Sequence, residues 1–237
     1  MRDLWTHSAN YRKSYQTDDD VEAIITLLDL DGAMALVDVG CGNGAFAIAA
    51  AGRYPACRVW AFDALESAVA ECRRRAEGAA NIVAQTASAH ALPLADDAAD
   101  RVLCRSVLHH IAEPDAVYRE ISRVLKPDGK LVLQTPCNYW EPAFDDVLSG
   151  MMMQIDDTHH RYYYRPAEIV AGLESAGFRA DEPECWTYDF PYLDDRAAEF
   201  VRQHHGDERL RLRAIGDGKW SIENYWCRVV ATKLSAV

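Results

Sequence analysis

Three glycines, Gly40, Gly42 and Gly44, alternate with Cys41 and Asn43 directly behind Asp38, and a second carboxylate, Asp63, follows about 20 residues later. Glycine lets a backbone turn tightly and approach a ligand closely. A helix beginning after Gly44 would point its free N–H groups and positive dipole end into the same space. A carboxylate ending the next strand could accept two hydrogen bonds from ribose hydroxyls. The chemistry implied is the binding of a nucleoside-bearing cofactor. The glycine spacing leaves its identity open, because Gly40, Gly42 and Ala45 also satisfy the dinucleotide pattern G-x-G-x-x-G/A. An NAD-dependent oxidoreductase therefore competes at this point.

The eight histidines include three adjacent pairs, His109-His110, His159-His160 and His204-His205. Asp156-Asp157 beside His159-His160 could suggest a metal centre. Adjacent side chains point in different directions, however, and no HExxH or Cys/His spacing accompanies them, so no metal is expected. His109 or His110 is a candidate substrate contact or general base, with an ordinary pKa of about 6.5. The competing reading is a satisfied loop histidine.

These residues need elements to hold them. Val21, Ile24, Ile25 and Leu28 repeat at helical spacing across residues 19–30. Ala35 to Val39 reads as a buried strand running into the glycines, and AFAIAAAGRY as the helix that follows. Strands are expected at 58–62, 81–86, 100–104 and 130–135, with helices at 65–77 and 116–125 and Pro114 at a first helical position. Lys126 to Gly129 reads as a turn. Apolar strands alternating with helices imply an α/β, doubly wound, mostly parallel sheet covered on both faces. Beyond Pro136 the rhythm breaks. A helix is expected from Pro166 to Ala176, capped by Gly177, and strands near 179–187 and 225–233. Residues 1–32 read as an N-terminal helical cap; 137–165 and 189–224 read as lid or substrate segments, the latter an inserted helical stretch.

A length of 237 residues suits one domain spanning 1–237. Lys+Arg of 25 against Asp+Glu of 37 gives a net charge of -12, which argues against a nucleic-acid surface. The short basic cluster Arg73 to Arg75 reads as a solvated helix face. The seven cysteines are odd in number, widely spaced and without Cys-x-x-Cys, which fits reduced, mostly buried thiols. The first twenty residues lack a signal-peptide pattern, and no apolar run approaches the roughly 20 residues of a membrane span. A cytoplasmic monomer or homodimer, away from membranes, is expected.

From Asp38-Val-Gly-Cys-Gly-Asn-Gly44 onward the chain resembles the class I S-adenosylmethionine-dependent methyltransferases, in their small-molecule branch. Phe62-Asp63, Ala87-Ser88-Ala89-His90-Ala-Leu-Pro-Leu, Asp100-Arg-Val-Leu, Ser106-Val-Leu-His109-His110-Ile and Leu125-Lys-Pro-Asp-Gly-Lys-Leu carry the resemblance in that order, over roughly residues 20–185 and the final strand. It implies a seven-stranded sheet, the last strand antiparallel and supplied near 225–233. It implies that Gly40, Cys41, Gly42 and Gly44 wrap the methionine part of the cofactor and that Asp38 orients the loop. Asp63 would bind the ribose, Ala64 or Leu65 would pack on adenine, and Ser88 with Ala89 would border it. Many relatives carry Asp near position 88. Arg105 would lie close to the reacting methyl. Tyr11 and Arg12 are candidate contacts of the methionine carboxylate. Trp5, Tyr15, Tyr139, Tyr162 and Trp186 are candidate substrate contacts, with His109, His110 and His160 as candidate catalytic groups. The implied activity is methyl transfer from S-adenosylmethionine to an O or N nucleophile of a small organic acceptor, releasing S-adenosylhomocysteine. A cofactor-binding regulatory protein without turnover is the non-enzymatic alternative.

Overall fold

In the computed structural model, residues 18–137, 164–195, 198–199, 202–203 and 212–235 are described. The first half builds β/α units, broken once where the third strand runs to the fourth without a helix between them. Helix α1 (Asp18–Leu28) leads to β1 (Ala35–Val39), α2 (Ala45–Arg53), β2 (Arg58–Asp63), α3 (Glu66–Arg75) and β3 (Ile82–Thr86). Strand β4 (Ala99–Arg105), a 3-10 turn (Leu108–His110), α4 (Pro114–Val124) and β5 (Leu125–Cys137) follow. The order across the sheet is β3-β2-β1-β4-β5, all parallel. Strand order therefore reverses between β1 and β4, and the crevice at their carboxyl ends is where such sheets bind ligands.

Two cores lie against the sheet. Ile24, Ile25 and Leu28 of α1 and Phe46, Ala47 and Ala50 of α2 cover one face, on Leu36, Leu103 and Val132. Val117, Tyr118, Ile121 and Val124 of α4 cover the other, with Ile169 and Leu173 of α5 (Pro166–Ser175), on Val37, Val102 and Leu131. Each buried Leu, Ile or Val contributes roughly 1.5–3 kcal/mol. Pro114 takes the first turn of α4, where its missing N–H has no intrahelical partner to lose. The expected turn at Lys126 to Gly129 is an excursion inside β5, where the β4 pairing jumps from Ala99↔Leu125 to Arg101↔Lys130 and Asp128 adopts φ 61.

The second half corrects one expectation. Strand β7 (Glu184–Asp194) continues to residue 194, and β8 (Arg213–Gly216) and β9 (Lys219–Lys233) form a hairpin. Residues 189–224 are thus largely strand where described, with helical residues only among 195–203. Aromatic residues in alternation favour a pleated strand here over the expected inserted helix. Strand β9 runs antiparallel to β5, while β6 (Phe178–Ala180) and β7 share its other edge, at Lys233 to Ala231 and Arg228 to Lys219 respectively. Among the described residues nine strands occupy seven lanes, because β6 and β7 share one edge of β9 and β8 takes the edge that β5 holds further along. None of the seven cysteines is in a disulfide, and six of them are buried. Among the described residues no helix is long and apolar enough to cross a membrane.

Candidate active site

The glycine turn leaves β1 with Gly40, Gly42 and Gly44 at φ 71, 53 and 77, a left-handed series that side-chain-bearing residues resist. The N–H groups of Gly40 and Cys41 both donate to the Phe62 carbonyl, at 2.7 and 2.9 Å, which hangs the turn on the end of β2. Asn43 Oδ1 accepts the Ala45 N–H at 3.2 Å, and Arg75 donates to the Asn43 carbonyl at 2.9 Å. Arg73 donates to the Ala84 carbonyl at 2.9 Å and Arg74 to Glu71 at 2.8 Å, so all three members of the basic cluster have partners. A Cβ built on Gly40 would lie 2.2 Å from Val107 Cγ2, so the segment after β4 rests directly on the turn.

Asp63 closes the turn from the other side. Its Oδ2 accepts the Gly42 N–H and its Oδ1 the Leu65 N–H, each at 2.9 Å. The residue is partly exposed beside the exposed Ala64. Burial pushes its carboxyl above the ordinary range, against the pull of the Leu65 and Gly42 N–H groups and of nearby His110. Asp38 is 2% exposed, and its Oδ2 has no hydrogen-bond partner among the described residues. Burial first, then the Asp63 charge, push its carboxyl up to about 7; an Ala47 N–H and Arg105 oppose them. An orphaned buried carboxylate oxygen is costly unless a donor arrives. Two carboxylates around a glycine turn suit a ligand with an ammonium group and ribose hydroxyls.

Cys41 is the exception within the turn. Its thiol is buried and donates to the Gly42 carbonyl at 3.7 Å, and the neighbouring Cys72 of α3 and burial push its pKa up. Only its backbone can meet a ligand in the crevice. Ser88 is exposed, its hydroxyl accepting the His90 N–H at 3.2 Å, and Ala89 packs on the core behind it. Glu120 and Arg123 of α4 fix this segment. Glu120 accepts the Leu92 N–H at 2.6 Å, and Arg123 donates to the Leu94 and Leu92 carbonyls.

At the end of β4, Arg105 is 8% exposed and its guanidinium stands 5.0 Å from the ring centres of both Phe46 and Trp226. Ser106 follows at φ 57, an uncommon conformation for a serine, held by its N–H donating to the Gln134 carbonyl at 2.8 Å. His109 is 3% exposed, and His110 lies partly exposed with ring centroids 4.2 Å apart. The Tyr164 hydroxyl donates to the Leu108 and Ile111 carbonyls at 3.3 and 3.2 Å, gripping the histidine turn from both ends. Trp186 pairs with Trp226 across β7 and β9, and Arg228 stacks over it at 5.1 Å while binding Glu184. Trp5, Tyr11, Arg12, Tyr15, Tyr139, His160 and Tyr162 lie outside the described residues, as does nearly all of 137–165.

Sequence reasoning missed Gln134 and Trp226 and gave Tyr164 no role in the site. Gln134 carried one signal, a lone polar residue behind Leu131-Val132-Leu133.

A family profile described as a methyltransferase domain matches residues 30–184. The chain is 30% identical over 176 residues to a ubiquinone biosynthesis O-methyltransferase of Xanthomonas euvesicatoria, covering 71% of this chain and 72% of that protein. It is 28% identical over 171 residues to a malonyl-[acyl-carrier protein] O-methyltransferase of Geobacter sulfurreducens, covering 68% and 62%. It is 27% identical over 151 residues to the uncharacterized methyltransferase YcgJ of Bacillus subtilis, covering 63% of this chain and 59% of that protein. The crystal structure of YcgJ superposes with a TM-score of 0.82 at 20% identity, over 93% of this chain and all of that one, and shares the fold. The matched stretches span from 33% to 72% of the curated relatives' lengths. With the switch-point crevice and its glycine turn, these matches show that the chain belongs to the class I S-adenosylmethionine-dependent methyltransferases.

Proposed function

We propose that this protein methylates an oxygen of a small organic acceptor by in-line displacement. The observation that carries the reading is the pairing of Asp63 with the glycine turn at the carboxyl ends of β1 and β2. Two relatives named as O-methyltransferases support oxygen as the accepting atom. When bound, S-adenosylmethionine supplies an electrophilic methyl group on a sulfonium sulfur.

The chain's residues bind and align. Asp63 accepts the ribose hydroxyls, each charged hydrogen bond contributing about 1.5–3 kcal/mol. Asp38 Oδ2 receives the ammonium end, directly or through one water. Gly40, Gly42 and Gly44 keep the wall free of side chains, and Ala64, Leu65 and Ala89 border adenine. Ser88 adds a neutral hydrogen bond, roughly half as strong as the charged one an aspartate would give. His110, within electrostatic reach of Asp63, serves the cofactor side. Buried His109 backs the acceptor pocket. Alignment of this kind supplies about 7–11 kcal/mol, more than the 10²–10⁴-fold of a general base.

The test is incubation of the full chain with methyl-labelled S-adenosylmethionine and a pool of small hydroxylated metabolites, read by mass spectrometry. The expected result is label on oxygen in a product of low mass. Label on nitrogen contradicts the oxygen assignment, and cofactor binding with no labelled product favours the regulatory alternative.

A further inference from the structure

Sheet register places a polar row on the α1/α2 face, at the end where the glycine turn lies. Asp38 pairs with Leu103, two residues before Arg105; Arg105 pairs with Gln134; Gln134 pairs with Arg228. Paired residues share a face, so Arg105 and Gln134 are neighbours on it. The outer cation, Arg228, is bound to Glu184 at 2.5 Å. The inner one, Arg105, is buried against two aromatic rings, two residues before Val107, which packs on Gly40 of the glycine turn. Gln134 is 3% exposed, and its Oε1 has no hydrogen-bond partner among the described residues. An amide oxygen buried without a donor is expensive to keep, so its place at the reacting end of the sheet asks for a ligand donor.

We propose that Arg105 and Gln134 form the acceptor subsite, which takes an acidic hydroxyl (a phenol, enol or carboxylic acid) and rejects a cationic amine. The inference rests on the methyl-transfer reading above. Gln134 Oε1 accepts the hydroxyl hydrogen as the acceptor enters. The Arg105 guanidinium then favours the oxyanion, and the proton leaves to bulk water. The acceptor oxygen uses its lone pair to form the O–C bond with the methyl carbon, while the S–C bond breaks and its pair stays on sulfur. An ammonium in the same place would face a buried guanidinium with little water to screen it. Among the described residues the acids facing this row are Glu184, which Arg228 holds, and Asp38, which Arg105 pulls toward its charged form; Asp38 is reserved for the cofactor.

The probe is para-nitrophenol, whose ionisation is visible by absorbance, titrated into the full-length protein saturated with S-adenosylhomocysteine. An opposite charge within about 4–6 Å lowers an acid's pKa by roughly 1–3. Bound probe is therefore expected to titrate at least about one pH unit below free probe, and benzylammonium to show no binding. Arg105→Gln returns the bound titration to its free value, while Arg105→Lys keeps most of the displacement. Gln134→Leu weakens probe binding roughly fivefold without lowering stability, since it removes an unsatisfied group. S-adenosylhomocysteine binding reports folding of each variant, and Gln134→Leu carries the test if Arg105→Gln fails to fold. The inference is overturned if the probe does not bind the saturated protein, titrates at or above its free value, or binds no better than benzylammonium. Failure of S-adenosylhomocysteine to bind the wild type would take down the functional reading and this inference together.

Discussion

Gly40→Ala tests whether the glycine turn and the segment after β4 form one wall. Gly40 sits at φ 71, where a β-carbon costs about 1–2 kcal/mol. That carbon would also lie 2.2 Å from Val107 Cγ2, and such overpacking costs a further 1–3 kcal/mol or so. The sum, about 2–5 kcal/mol, would lower Tm by roughly 4–20 °C for a chain of this size. Val107→Ala separates the two contributions. In the wild type it removes two buried methyl groups, costing about 1.6 kcal/mol. In the Gly40→Ala background it also removes the clash, so the pair should show an interaction energy of about 1–3 kcal/mol. Urea unfolding of the four proteins measures this, and calorimetry with S-adenosylhomocysteine should show binding lost in Gly40→Ala and partly restored in the double variant. Additivity within about 0.5 kcal/mol would refute the shared wall.

Three further outcomes follow from the same geometry. Asp38 holds its proton up to about 7 in the fold, against 3.8 as its ordinary value, so its contribution to stability is complete below pH 3.8 and is lost as pH rises to about 7. Without cofactor, Asp38→Asn should therefore flatten the stability-pH curve over that window by up to about 4 kcal/mol relative to wild type, and equal slopes in denaturant titrations would contradict it. Tyr164→Phe removes the hydroxyl donating to the Leu108 and Ile111 carbonyls and should cost about 1–3 kcal/mol in urea unfolding; an unchanged midpoint would show that the histidine turn is held elsewhere. His109→Gln should lower kcat by less than about tenfold and leave its pH profile unaltered, because alignment and Arg105 bear the reaction; a loss of about 10²-fold with disappearance of a step near pH 6.5 would assign the base to His109.

The β/α half was legible because its signals are local. Glycine spacing, a strand-end aspartate and alternating apolar runs located β1, β2 and the turn to within a residue or two. What stayed hidden depends on register. Nothing local says that Gln134 stands beside Arg105, or which of His109 and His110 turns inward; those follow from pairing across β4 and β5 and from the turn Tyr164 grips. Cys41 shared the glycine motif, yet its side chain turns to Cys72, a contact 31 residues away. Residues 189–224 misled because 189–194 and 213–216 pair with β9, which begins at Lys219 inside the same stretch, and no local pattern shows that pairing.

The central claim is that the crevice at Asp63 and the glycine turn binds S-adenosylmethionine and its product. Titration calorimetry of wild type and Asp63→Ala with S-adenosylhomocysteine, and of wild type with NAD, tests it most directly. The account predicts binding of S-adenosylhomocysteine, none of NAD, and at least a tenfold loss of affinity in a folded Asp63→Ala, as expected for a charged hydrogen bond worth about 1.5–3 kcal/mol. Unchanged affinity in that variant, or binding of NAD in preference, would contradict it.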